Sequence, residues 1–148
     1  MKLLRHLMIK TLGLLCLGTA IANAATLTLK VEGIRDTEGR VAIAVFNSES
    51  GFPDDETKAI RRVYIPLQQT GQNATTTIKD LAPGNYAIAL FHDNNLSGKL
   101  ETNLFGIPRK GYGFSNNVNP SLRSARFDEA VFTLPEGGGD MAIKLIYR

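Results

Sequence analysis

The chain is 148 residues long, with 17 basic and 14 acidic side chains, one cysteine, two histidines and no tryptophan. With Lys2, Arg5 and Lys10 set aside, the formal charge of +3 disappears, so no basic surface for nucleic acid is expected. Cys16 and His6 lie in the same leading stretch. The remainder, with one imidazole and no thiol, is excluded from disulfide scaffolds, Cys-ligated zinc and most His-dependent catalytic plans.

The leading stretch itself has the order of a signal peptide. Lys2, Arg5 and Lys10 form a positive n-region, and Leu12 to Ile21 form a short apolar h-region. Ala22-Asn23-Ala24 then supplies the small residues that signal peptidase requires at −3 and −1. The apolar run is shorter than the roughly 20 residues of a membrane span. The expectation is a signal peptide over 1–24, removed to leave one domain over 25–148 in the periplasm or outside the cell. That domain is not membrane-spanning and is long enough to hold a core without covalent staples.

From Thr26 onward the pattern is β. Leu27, Leu29 and Val31 alternate with Thr28, Lys30 and Glu32, the period of a half-buried strand. Asp36-Thr37-Glu38-Gly39 reads as a hairpin turn, after which Val41, Ile43 and Val45 resume the alternation. Ala42, Ala44 and Phe46 make the other face of that strand apolar as well. Gly51 and Pro53 break the polar segment 49–58 into a loop in which Phe52 plugs the end of the core. Val63, Ile65 and Leu67 mark a strand that Pro66 confines to a sheet edge. Ala74 to Ile78 is Thr-rich and β-prone.

Leu81-Ala82-Pro83-Gly84-Asn85-Tyr86 then reads as a type II turn opening a strand. In that strand Tyr86, Ile88 and Leu90 face one way, and Ala87, Ala89 and Phe91 the other. Ala130, Phe132 and Leu134 alternate again, Gly137-Gly138-Gly139 reads as a hairpin connection, and Met141 to Tyr147 closes the chain. The total is about seven strands with no amphipathic helix, which is the signature of a single antiparallel β-sandwich.

Between the strand ending at Phe91 and Asn117 runs a loop of about two dozen residues, a length that usually signals binding or disorder. Asp93-x-Asn95-x-Ser97-Gly98 repeats the opening of an EF-hand-type calcium loop, with Glu101 at its ninth position. Asp93, Asn95, Ser97 and Glu101 are therefore candidate Ca²⁺ ligands. Leu104 stands where the bidentate Glu should be, so carboxylates such as Asp128 or Glu129 would have to complete the site. The alternative is an Asx-rich turn that hydrogen-bonds its own backbone. His92 stands at a strand end without a nucleophile elbow, where backbone hydrogen bonding is the ordinary role. Tyr112, Ser115, Asn116 and Asn117 join His92 as a candidate ligand loop, readable either as a sugar or peptide contact or as aromatics anchoring a tight turn.

The Leu81 to Tyr86 phrase resembles the L-x-P-G-x-Y turn of transthyretin-like and carboxypeptidase-regulatory-type sandwiches. Taken with Gly39 to Phe46, Gly51-Phe52-Pro53, Phe91 to Asn95, Gly98 to Asn103, Gly106-Ile107-Pro108 and Tyr112 to Asn117, the chain resembles the bacterial exported family catalogued as domain of unknown function 2141. The resemblance implies a small exported sandwich, transthyretin- or immunoglobulin-like, and no activity. Transthyretin-like ureide hydrolases need a second His and a longer ending than Tyr147-Arg148. The functional expectation is a non-enzymatic binding or accessory module, calcium-stabilised, whose partner, protein or glycan, is left open. The alternative is a small hydrolase acting at His92, Asp93 and Glu101.

Overall fold

The alternating segments become strands in the computed structural model, which describes residues 23–68 and 70–148. All but the last two residues of the expected leader lie outside the described residues. In chain order the strands are β1 (Ala25–Glu32), β2 (Arg40–Phe46), β3 (Arg61–Pro66), β4 (Asn73–Leu81), β5 (Gly84–Asp93), β6 (Tyr112–Phe114), β7 (Phe132–Leu134) and β8 (Gly139–Lys144), with a one-turn helix α1 (Phe127–Ala130) before β7. They form two sheets. The first has the order β4-β1-β8, and the second the order β3-β2-β5-β6 with β7 paired to β5.

The fold is all-β. Leu27, Leu29 and Val31 of β1 face Val41, Ile43 and Val45 of β2 and Tyr86, Ile88 and Leu90 of β5, and all nine are buried in one core. Each buried aliphatic side chain of this kind contributes about 1.5–3 kcal/mol relative to exposure. The period-two pattern is thus the pattern of a sheet whose inner face meets another sheet.

Four features depart from the sequence reading. Asp36–Gly39 is no hairpin, because β1 pairs with β4 and β8 whereas β2 pairs with β3 and β5. Polar turn residues reverse a chain without naming the strand it pairs with next. Gly39 is required by the crossing: its φ is +68°, and a Cβ there would lie 2.2 Å from the Asp93 carbonyl oxygen. Gly137 to Gly139 likewise carries the chain between sheets, and β8 runs parallel to β1, from Leu27 beside Gly139 to Glu32 beside Lys144. Tyr112 to Phe114, read as loop, is a short strand beside Ala89 to Phe91. Finally, Gly84 is extended (φ 159°) rather than at the φ of about +80° of a type II turn.

The outer face of the second sheet positions everything that follows. Cross-strand pairing sets Tyr64, Ala42, Phe91 and Tyr112 in one row and Arg62, Ala44, Ala89 and Phe114 in the next. At one end of this face Phe52 packs on Phe46, Phe114 and Phe127, with ring centroids 5.4, 6.2 and 5.9 Å apart. Phe52 therefore plugs a second apolar cluster on the outside of the sheet. The alanines beside it are left without a covering element.

Candidate functional site

The loop after β5 folds back on itself as a narrow excursion. Arg109 N–H donates to Glu101 O at 2.8 Å and Asn103 N–H to Ile107 O at 2.9 Å. Asn103 Oδ1 accepts from the N–H groups of Phe105 (2.9 Å) and Ile107 (3.1 Å) and so fixes the tip. The return limb brings Lys110 back to Asp93.

There the oxygens of the calcium-like spacing converge, and a lysine lies among them. Lys110 Nζ donates to Asp93 Oδ1 at 2.9 Å, Asn95 Oδ1 at 2.6 Å, Ser97 Oγ at 2.8 Å and the Lys99 carbonyl at 2.9 Å. Glu101 Oε1 stands 3.8 Å from the same nitrogen and accepts from Asn95 Nδ2 at 3.2 Å. An ammonium has three protons, so four near oxygens share them in a geometry close to that of a small cation shell. Asp93 Oδ2 is held by Gly98 N–H (3.0 Å) and Arg40 Nε (3.1 Å). Gly98, at φ +73°, makes the tight turn that presents its N–H to that carboxylate.

Asp93 is fully buried and Lys110 nearly so. Burial acts to raise the Asp93 pKa. The hydrogen bonds from Lys110, Gly98 and Arg40, with the Lys110 charge, outweigh it and hold the carboxyl below its ordinary range. Hydrogen bonds from Asn95 and Ser97 and the Lys110 charge lower Glu101 as well. Asp128 and Glu129 take no part: Asp128 pairs with Arg126, and Glu129 with Arg123 and Arg126. Among the described residues, no three His, Cys, Asp or Glu side chains gather as a metal-ligand group. Lys110 was not among the residues singled out from sequence. It arrives from the other limb of the loop, and local spacing carries no sign of it.

His92 does not join this cage. Neighbours on a strand point to opposite faces, so His92 turns inward where Asp93 turns outward. The ring is buried, with Nε2 2.9 Å from the Glu38 carbonyl and Nδ1 3.1 Å from the Tyr147 hydroxyl. A carbonyl only accepts, so Nε2 carries a proton, and in the neutral ring Tyr147 donates to Nδ1 while accepting from Arg35 N–H at 3.2 Å. His92, Asp93 and Glu101 are therefore not one catalytic cluster.

The remaining polar candidates are engaged with backbone. Ser115 Oγ, fully buried, donates to Ala130 O and accepts from Ile88 N–H at 2.9 Å. Asn116, at φ +59°, donates to Glu129 O and Val131 O at 3.1 and 2.8 Å. Asn117 bridges Ala142 O (3.1 Å) and Lys144 N–H (2.9 Å). Tyr112 lies in β6 against Phe114, ring centroids 5.8 Å apart. Together these residues clamp β6, α1 and β8.

What the two loops enclose is a trough of about 950 Å³ over the outer face of the second sheet. Its floor is Ala42, Ala44, Ala89 and Phe91. The caged loop supplies one wall through Leu100, Phe105 and Ile107, and segment 120–124 the other through Pro120 and Leu122. Both walls are tied down. The Lys110 cage fixes the first. Arg148, donating to Ser121 O (2.6 Å), Asn119 Oδ1 (2.7 Å) and Pro120 O (2.9 Å), fixes the second with the Arg123–Glu129 pair. Hydrogen bonds from Arg123 and the Arg126 N–H hold the Glu129 pKa at about 2. Sequence reading missed the trough, although two alanines facing outward on β2, opposite Phe91 and Ala89, were its signal.

A family model described as "Uncharacterized protein conserved in bacteria (DUF2141)" matches residues 29–143. No curated protein and no solved structure matches the chain.

Proposed function

We propose that this chain, which belongs to the bacterial family DUF2141, is an exported, non-enzymatic binding module. The observation that carries this reading is the alanine-floored trough of about 950 Å³, walled by two loops that the Lys110 cage and Arg148 hold in place. A concave apolar volume of a few hundred to about 1,000 Å³ with few polar groups is the usual form of a small-ligand site. Against the hydrolase alternative, His92 is committed to two structural hydrogen bonds, and Asp93 lies buried under Lys110, Arg40 and Gly98. Export is supported by the leader's residue order and by β1 starting at Ala25, next to the expected cleavage point. No helix among the described residues is long and apolar enough to cross a membrane.

Calcium enters this reading in altered form. The cation that orders the 93–101 segment is the Lys110 ammonium, and its purpose is to hold a wall of the trough. The binding reading is tested by thermal melts of the purified protein against alcohols, fatty acids, saccharides and peptides, in wild type and Ala89→Phe. Ligands that raise the wild-type melting temperature but not that of folded Ala89→Phe support it. Shifts of equal size in both proteins would remove the trough from the account.

A further inference from the structure

The ionic groups that line the trough are unevenly compensated. Glu56 faces Arg62 at 3.7 Å, and Arg123 is held bidentately by Glu129 at 2.8 and 2.6 Å. Those four charges cancel within the protein. Arg148 donates only to neutral oxygens, and Lys99 has no carboxylate within ion-pair distance among the described residues. Among the described residues, Asp54 is the one lining acid without a cation, and it accepts from the Ser124 hydroxyl at 3.5 Å. Two cationic side chains of the lining, Lys99 and Arg148, are thus without a carboxylate side chain as partner among the described residues.

The base of the trough is apolar, with the hydroxyls of Thr102, Ser121 and Ser124 on its walls. The floor is made of small side chains between rings, which leaves a channel with no polar side chain along its base. At the mouth Phe105 is 86% and Leu122 99% exposed, on opposite walls. Large apolar groups bared on both lips of a groove mark a surface completed by an apolar partner. A saccharide fits poorly, because such ligands need polar partners along the base, where the floor offers alanine and Phe91.

We propose that the trough binds an amphipathic anion, a single long alkyl chain ending in a carboxylate. The chain lies over Ala42, Ala44 and Ala89 under the Phe105 and Leu122 lips. The carboxylate is held by Arg148 or Lys99. Arg148 then has two roles, since the guanidinium that ties down segment 119–121 also presents its charge to the ligand. This ligand class rests on the binding reading above, and the experiment separates the two.

The probe is a fluorescent polyene fatty acid titrated into full-length mature protein, displaced by palmitate or by hexadecanol. Expected are saturable one-to-one binding, displacement by palmitate at concentrations about tenfold below hexadecanol, and loss of binding in Ala89→Phe. Arg148→Gln or Lys99→Gln should weaken palmitate several-fold and leave hexadecanol unchanged. Ala44→Leu, a smaller intrusion, serves should Ala89→Phe not fold, as judged by circular dichroism. If hexadecanol matches palmitate, or only a neutral ligand binds and Ala89→Phe abolishes it, the anionic class falls while the trough stands. Fatty-acid binding that survives both floor variants overturns both. So does a wild-type dimer, seen by light scattering, that Phe105→Ser dissolves, because the lips would then cover a second copy.

Discussion

Lys110 Nζ and Asp93 Oδ1 meet at 2.9 Å with the carboxylate fully shielded and the ammonium nearly so. A buried pair of this kind adds little net stability over a well-packed apolar pair, but removing one partner strands the other charge. Its value here is positional. Asp93 ends β5, Lys110 precedes β6, and the pair fastens the loop between them to the sheet beneath.

Replacing Lys110 by methionine should therefore destabilise the protein by about 3 kcal/mol, because Asp93 Oδ1 and the Asn95, Ser97 and Lys99 oxygens lose their donor while Arg40 still pairs with Oδ2. Chemical denaturation with and without chelator measures it. The oxygens left behind have the spacing of a weak extracellular calcium site, on the order of 10⁻⁴ to 10⁻³ M. At a hundredfold excess over that constant, Ca²⁺ should restore roughly 2.7 kcal/mol to Lys110→Met. Wild type should be indifferent to chelator. A wild-type melting temperature that rises with Ca²⁺ and no longer does so in Asp93→Ala would mean that a metal ion orders the loop.

Acid should loosen the same cage. The Asp93 carboxyl is held below its ordinary value in the folded protein, so its contribution is complete above the unfolded value of about 3.9 and is lost as pH falls through the folded one. Urea midpoints should fall below about pH 4 in wild type. In Asp93→Asn they should start lower at neutral pH and decline less steeply in acid. Parallel acid limbs would uncouple this carboxyl from folding.

His92→Phe removes the partners of Glu38 O and the Tyr147 hydroxyl. Each stranded group should cost about 1–3 kcal/mol. Ligand binding in the trough should survive, because His92 points to the opposite face of β5. Retained stability with lost binding would reassign His92 to the site.

Ile88 is completely buried in the main core, on the central strand of the second sheet. Ile88→Ala should cost about 2–5 kcal/mol in denaturant unfolding. A loss under about 1 kcal/mol would mean that the two sheets close over the missing volume.

Mass spectrometry of the exported protein should find Ala25 first. Material outside the cytoplasm that still begins at Met1 would discard the leader.

The strands of this fold could be read from sequence because each signal is local. Leu27 to Val31, Val41 to Val45 and Tyr86 to Leu90 each state their own inner face through alternation. What could not be read is which strand lies beside which. Asp36 to Gly39 and Gly137 to Gly139 announce a change of direction, and that chemistry is the same for a hairpin and for a crossing between sheets. The site shows the same division. Asp93, Asn95, Ser97 and Glu101 were found by spacing, and they do gather round one point. Lys110 was not, since its approach depends on the pairing of Glu101 with Arg109 and on the turn that Asn103 holds. The trough depends on three alanines whose importance lies in volume they do not fill.

The neighbouring of β1 and β8 has a consequence for the order in which the molecule can be made. The first strand of the domain lies between β4 and the last strand, so a nascent chain that has reached Leu134 still has one side of β1 bare and Ile143 missing from the core. The contacts that complete the sheet span nearly the whole domain, the kind of long-range closure that folds late. C-terminal truncation should therefore remove the fold, not trim it. Until β8 has been made, β1 is a sheet edge waiting for its second neighbour.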